Sequence, residues 1–90
     1  MIIGKVIGNI WATKKDQKLR NYKLLVVRTK TGGKPDTIVA ADTIGAGVGE
    51  DVLLSMGSVA RNSLGDRDSP IDAVVVGIID TLEVDESLLK

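Results

Sequence analysis

The apolar residues of this chain fall into five short segments, each closed by glycine or by polar turn-forming residues, and that rhythm commits it to β structure. Ile2 to Thr13 is rich in Ile and Val with Gly4 and Gly8 inside it, and reads as a long strand that is bent or closely approached at the glycines. A polar, basic loop at Lys14–Lys18 follows. Tyr22 to Arg28 is a second strand, apolar on both alternating sets, so both of its faces are expected to be covered. These two strands make a natural antiparallel pair, and Thr31-Gly32-Gly33-Lys34-Pro35-Asp36 is a turn. Thr37–Ala41 and Asp51–Met56 are the third and fourth strands. Ala73–Ile79 is the fifth and most hydrophobic, expected at the centre of the sheet. Between the last two, Ser58–Leu64 fits a short helix with Ser58 as N-cap and Gly65 as its stop. The fold class is therefore all-β: a small five-stranded OB-like β-barrel, closed or partly open, with one short helix. In OB folds generally the helix more often lies between strands three and four, so the match is to barrel class and not to connectivity. Residues 1–81 form the barrel domain, and residues 82–90 an acidic tail that is a strand, a short helix or an arm.

At 90 residues the chain makes one domain with a marginal core. Disulfides, bound metals or partner subunits are the usual supplements. The chain has no Cys and no His, which removes disulfides, thiolate metal sites, the commonest general base and the commonest transition-metal ligand. Partner subunits remain. No apolar stretch is long enough to span a membrane, no cleavage site follows Met1–Ile10, and the lack of Cys fits a reducing cytosol, so no membrane is expected and the sequence reads as cytosolic.

The net charge is zero, with 12 basic and 12 acidic side chains, which argues against a role built on electrostatic attraction to nucleic acid or lipid. The charges are unevenly spread. Residues 1–35 hold nine bases and one acid, and residues 36–90 hold three bases and eleven acids, so the halves carry +8 and −8. Either the two sets interleave on one solvated surface, or a basic patch on one subunit meets an acidic patch on the next, the head-to-tail arrangement a ring requires.

The motifs that suggest chemistry fail on inspection. Gly45-Ala46-Gly47-Val48-Gly49-Glu50 lacks the third glycine of a dinucleotide loop, has Glu50 in its place, precedes a strand instead of a helix, and carries no phosphate-binding lysine. Its glycines fit a crowded turn near another backbone better. Asp66-Arg67-Asp68-Ser69 begins like a calcium loop but has Ile71 and Gly77 where Gly and Glu are needed. Its acidic pair, Asp66 and Asp68, has no deep cleft to serve a glycosidase or magnesium site in so small a domain. Ser55, Ser58, Ser63 and Ser69 have no His partner, and no lysine spacing singles out a Ser-Lys pair. No catalytic, cofactor or metal residue is assigned. An OB-like barrel also raises a nucleic-acid-binding module, for which Lys14, Lys15, Lys18 and Arg20 offer phosphate contacts. Trp11 and Tyr22 are the only aromatic side chains, too few for a stacking platform. Trp11 is expected in the core or at a subunit interface.

Several segments together resemble one family. They are Met1-Ile2-Ile3-Gly4-Lys5-Val6-Ile7-Gly8, Lys23–Val27, the run from Val39 to Val52 through Asp42-Thr43-Ile44-Gly45-Ala46-Gly47-Val48-Gly49-Glu50, Gly57–Arg61, and Pro70–Asp80. In this order they resemble the EutN/CcmL family of bacterial microcompartment vertex proteins, over residues 1 to about 81. The resemblance implies a cyclic homopentamer that closes the corners of a polyhedral shell in the bacterial cytoplasm, with hexameric shell proteins tiling the facets and no enzymatic activity. It places Gly45, Ala46, Gly47, Val48, Gly49 and Glu50 at a pore or subunit interface, with Glu50 as hydrogen-bond acceptor and Arg61 as an interface donor. The compartment, carboxysome or catabolic, is left open.

Overall fold

In the computed structural model, which describes residues 1–11, 19, 22–31, 33–65, 70–81 and 83–88, the five strands close into a barrel. The elements are β1 (Ile2–Ile10), β2 (Lys23–Thr31), β3 (Lys34–Asp42), β4 (Asp51–Met56), α1 (Gly57–Ser63) and β5 (Ala73–Ile79), followed by a 3-10 turn at Glu86–Leu88. Strand order around the barrel is β1-β2-β3-β5-β4. Every contact is antiparallel except β3 with β5, a parallel seam of two residue pairs, Ala41 with Val74 and Asp42 with Val75. Closure leaves no central strand: β5 is flanked by β3 and β4 much as every other strand is flanked on two sides.

The interior is filled by alternate residues of each strand, Val6, Leu25, Val27, Ala40, Val52, Leu54, Ala73 and Val75, joined by Ala46 from the loop after β3. Val and Ala dominate because a five-stranded barrel has a narrow lumen. The outer apolar set of β2 has a separate explanation. Leu24 packs with Tyr22 and Leu19 against a second cluster of Ala41, Ala60, Ile71 and Val74, which is the underside of α1. Both faces of this part of β2 are thus covered, as its sequence pattern requires.

The local signals resolve individually. The turn shrinks to two residues, since Thr31 pairs with Lys34 and Gly33 takes a left-handed φ of 79°. Lys34, Pro35 and Asp36 belong to β3. Pro35 is tolerated because, among the described residues, β3 pairs only with β2 until Ala41, so the missing N–H breaks no second ladder. The helix starts one residue before the expected Ser58 cap. Gly57, at φ 65°, turns the chain out of β4 without a loop and donates its amide to the Asp72 carbonyl at 2.7 Å; Met56 is the N-cap, with no side-chain bond. Gly65, at φ 76°, ends the helix and donates to Asn62 O at 3.0 Å, as expected. β1 stops at Ile10, and Trp11 is 92% exposed, which rules out the core position expected for it in the single chain. Ala12, Thr13, the basic loop Lys14–Lys18, Arg20 and the Asp66–Ser69 motif lie outside the described residues.

The two glycines of β1 do different work. At Gly8 the β1–β2 register slips, leaving Ile7 as a bulge that bends the strand. At Gly4 the backbone lies hard against β2: an added Cβ would run into Val27 Cγ1 and sit 3.1 Å from the Arg28 carbonyl. After β5, Asp85 Oδ1 accepts the Ser87 hydroxyl at 2.6 Å and the Ser87 amide at 3.0 Å, shaping the final turn. These bonds, the hydroxyl's first, hold the Asp85 carboxyl below its ordinary 3.8.

Gly4→Ala is expected to lower stability by about 1–3 kcal/mol, because a β-sheet backbone and a buried Val must yield. Gly8→Ala, whose methyl would meet Val26 no nearer than 3.9 Å, is expected to change it by less than about 1 kcal/mol. Urea midpoints at one protein concentration decide between equal and unequal effects. A folded-state pKa below its unfolded value means that Asp85's contribution to its turn is complete above 3.8 and lost as pH falls through the lowered value. Ser87→Ala should therefore move the Asp85 carboxyl resonance midpoint upward, towards 3.8, in an NMR titration.

Candidate functional site

The loop from Asp42 to Glu50 is built around two carboxylates that turn inward. Asp42 ends β3 with only 5% of its surface exposed. Its Oδ1 accepts the amides of Ile44 at 3.0 Å and Gly45 at 3.2 Å, and its Oδ2 accepts the amide of Ala46 at 2.7 Å. A buried carboxylate without such donors would cost several kcal/mol. Here three successive N–H dipoles replace its water, and charge-assisted bonds of this kind are the strong ones. Lys23 lies opposite Asp42 in the β2–β3 ladder and donates its Nζ to the Ala46 carbonyl at 3.1 Å. Ala46 is therefore held three ways: its amide by Asp42, its carbonyl by Lys23, and its methyl in the main core.

The second half repeats the device. Glu50 Oε1 accepts the Gly47 amide at 2.6 Å, and the Glu50 amide returns a bond to the Gly47 carbonyl at 3.1 Å. The Gly49 amide donates to Val6 O at 2.8 Å and the Val6 amide to Glu50 O at 3.0 Å, which carries the β1–β4 ladder into the loop. Gly45 and Gly49 sit at φ 90° and 93°, where a side chain would be strained. Gly47 is needed for another reason, since a Cβ there would stand 3.3 Å from Glu50 Oε1.

This geometry leaves the glycine-rich loop without the free amides that a phosphate would need. An anion-binding loop offers free amides. Here the amides of residues 44 to 47 are taken by the chain's own carboxylates. What faces outward is apolar: Ile44 is 46% and Val48 59% exposed. Among the described residues no three acidic side chains gather as metal ligands would. The expected site residues separate accordingly. Ala46 is buried, Gly47 and Glu50 are half-buried, and Gly45, Val48 and Gly49 are exposed. Arg61 is half-buried in the last turn of α1, and among the described residues no hydrogen bond or ion pair joins it to the loop. Asp42 and Lys23, which hold the loop together, were not singled out from sequence. An Asp followed by a turn and glycine was the available signal for the first. The second depends on strand register.

Asp42→Ala is expected to cost about 2–3 kcal/mol through the loss of bonds to a charged acceptor, with Asp42→Asn costing less. Hydrogen exchange should show the amides of Ile44, Gly45 and Ala46 losing protection in both, ahead of the β2–β3 ladder. Unchanged protection at these three amides would refute the carboxylate's role.

Comparison with known proteins places this geometry among relatives. Residues 1–80 match the family described as "Ethanolamine utilisation protein EutN/carboxysome". The chain is 52% identical over 86 residues to the bacterial microcompartment shell vertex protein GrpN of Rhodospirillum rubrum, covering 92% of this chain and 97% of that one. The solved structure of the GrpN pentameric microcompartment shell protein superposes with a TM-score of 0.78 at 49% identity, covering 94% of this chain and all (100%) of that one. The structure of CcmL from Gloeobacter violaceus superposes with a TM-score of 0.82 at 43% identity, covering 94% and 91% of the two chains.

Proposed function

The chain belongs to the EutN/CcmL family, and from that premise we propose that it is a vertex subunit of a bacterial microcompartment shell, closing into a ring of five identical copies. The observation that carries this reading is the match along nearly the whole chain, in sequence and in fold, to a shell protein described as pentameric. Geometry gives the role its logic. Six-fold tiles make a flat sheet, and closing that sheet needs corners of lower symmetry, so the subunit's partners are its own copies and hexameric shell proteins. It resides in the shell, in the bacterial cytoplasm, and is structural instead of catalytic.

The single chain has the character of an incomplete object. Met1, Ile3, Ile7, Trp11, Val48 and Val59 are each more than 40% exposed, a large apolar display for a barrel of this size. A typical obligate interface, roughly 2,000 Å² or more in total, would cover such surface. The rigid loop Gly45–Glu50 then faces a pore or a neighbouring subunit with Ile44 and Val48 forward, while Arg61 donates to an adjacent copy. Nucleic-acid binding finds no support: the chain has two aromatic side chains, and Tyr22 is packed beneath α1.

Native mass spectrometry or light scattering should give a mass five times that of the 9.5 kDa chain; a monomer at high concentration, or another stoichiometry, would overturn the reading. Gly47→Leu and Glu50→Ala are each expected to raise the concentration at which the ring half-dissociates by about tenfold or more. If both leave assembly unchanged, the loop does not lie at the interface.

A further inference from the structure

We propose that the acidic segment Glu83–Leu88 of one copy docks in the cationic, apolar-floored groove around β1 of an adjacent copy. The proposal rests on the ring reading above and adds a named contact to it. The groove encloses about 810 Å³, with Met1, Ile2, Ile3 and Leu53 as its apolar lining and Lys5, Arg28 and Lys30 as its cations. Lys5 already faces Asp51, Nζ to Oδ1 at 3.7 Å. Arg28 and Lys30 have no acidic partner among the described residues.

The segment is the complement of this groove. Every described residue after Ile79 is exposed. Val84 is 50% and Leu88 80% exposed, so both present apolar surface to solvent in the single chain. They alternate with the carboxylates of Glu83, Asp85 and Glu86. The turn that presents Leu88 is already shaped, by the Ser87 bonds to Asp85 and by the Leu88 amide donating to Asp85 O at 3.0 Å. Docking therefore costs less ordering than it would for an unstructured peptide.

In the single chain the segment does not fill the chain's own groove, since all of its described residues are exposed. β5, which leads to it, is separated from β1 by β4: Gly77 pairs with Leu53, and Leu53 with Ile3. A neighbour in a head-to-tail ring can bring its groove to the segment.

The absence of Cys allows a direct test. Ile3→Cys and Leu88→Cys are made in separate full-length chains, co-assembled and mildly oxidised. A disulfide forms only where Cα atoms come within about 7 Å. A covalent dimer containing one chain of each kind, absent when either variant is oxidised alone, is expected. Adding Glu83→Lys and Glu86→Lys to the Leu88→Cys chain should abolish that dimer, and adding Arg28→Glu and Lys30→Glu to the Ile3→Cys chain should restore it. The proposal is overturned if the dimer fails to form, if it is indifferent to charge reversal, or if a chain carrying both cysteines closes only on itself. Native mass spectrometry of the same samples reads the ring independently. A pentamer without the mixed dimer removes the docking and keeps the vertex role; a mixed dimer in an assembly of another number does the reverse.

Discussion

The buried carboxylate of Asp42 is the constraint around which the rest of the barrel's working end is organised. A charge removed from water must find donors, and it finds three in the backbone that follows it. Satisfying them fixes the path of residues 44 to 46, which drives the Ala46 methyl into the core and brings its carbonyl to Lys23. The path of the next four residues then returns to β1, where Gly49 and Glu50 bond to Val6. One ionised side chain thus converts a glycine-rich stretch, flexible by composition, into a fixed surface.

Much of this was legible in the sequence because it is local. The five apolar segments fixed strand number and sequence order, Gly65 marked the end of the helix, and Gly4 and Gly8 marked a close approach and a bend. The errors were also local in origin but tertiary in cause. Pro35 and its charged neighbours read as turn, yet they pair with β2, and among the described residues no second ladder needs the N–H that Pro35 lacks. Ser58 read as a cap, yet Gly57 had already turned the chain. Trp11 read as core or interface by its size; its exposure in the single chain removes the core half of that expectation.

The candidate site was visible in outline only. The spacing of glycines and Glu50 gave a crowded turn, and rejecting a phosphate loop followed from residue types. The loop's other anchor did not, because Lys23 reaches the Ala46 carbonyl across 23 residues of sequence and only through the register of a hairpin. Surfaces that join copies are harder still.

The parallel seam, only two residue pairs long, leaves most of β3 unpaired along its second edge among the described residues. For a protein that must gather beside many copies of itself, an open strand is a hazard, since each newcomer could zip onto it and the stack would grow into fibres without limit. Lys34, Pro35 and Asp36 stand at the outer end of that edge, where a stray strand would first engage: charged side chains keep their water there, and proline withholds a donor. The same three residues that looked like a turn have the composition that blunts an exposed strand edge against endless stacking.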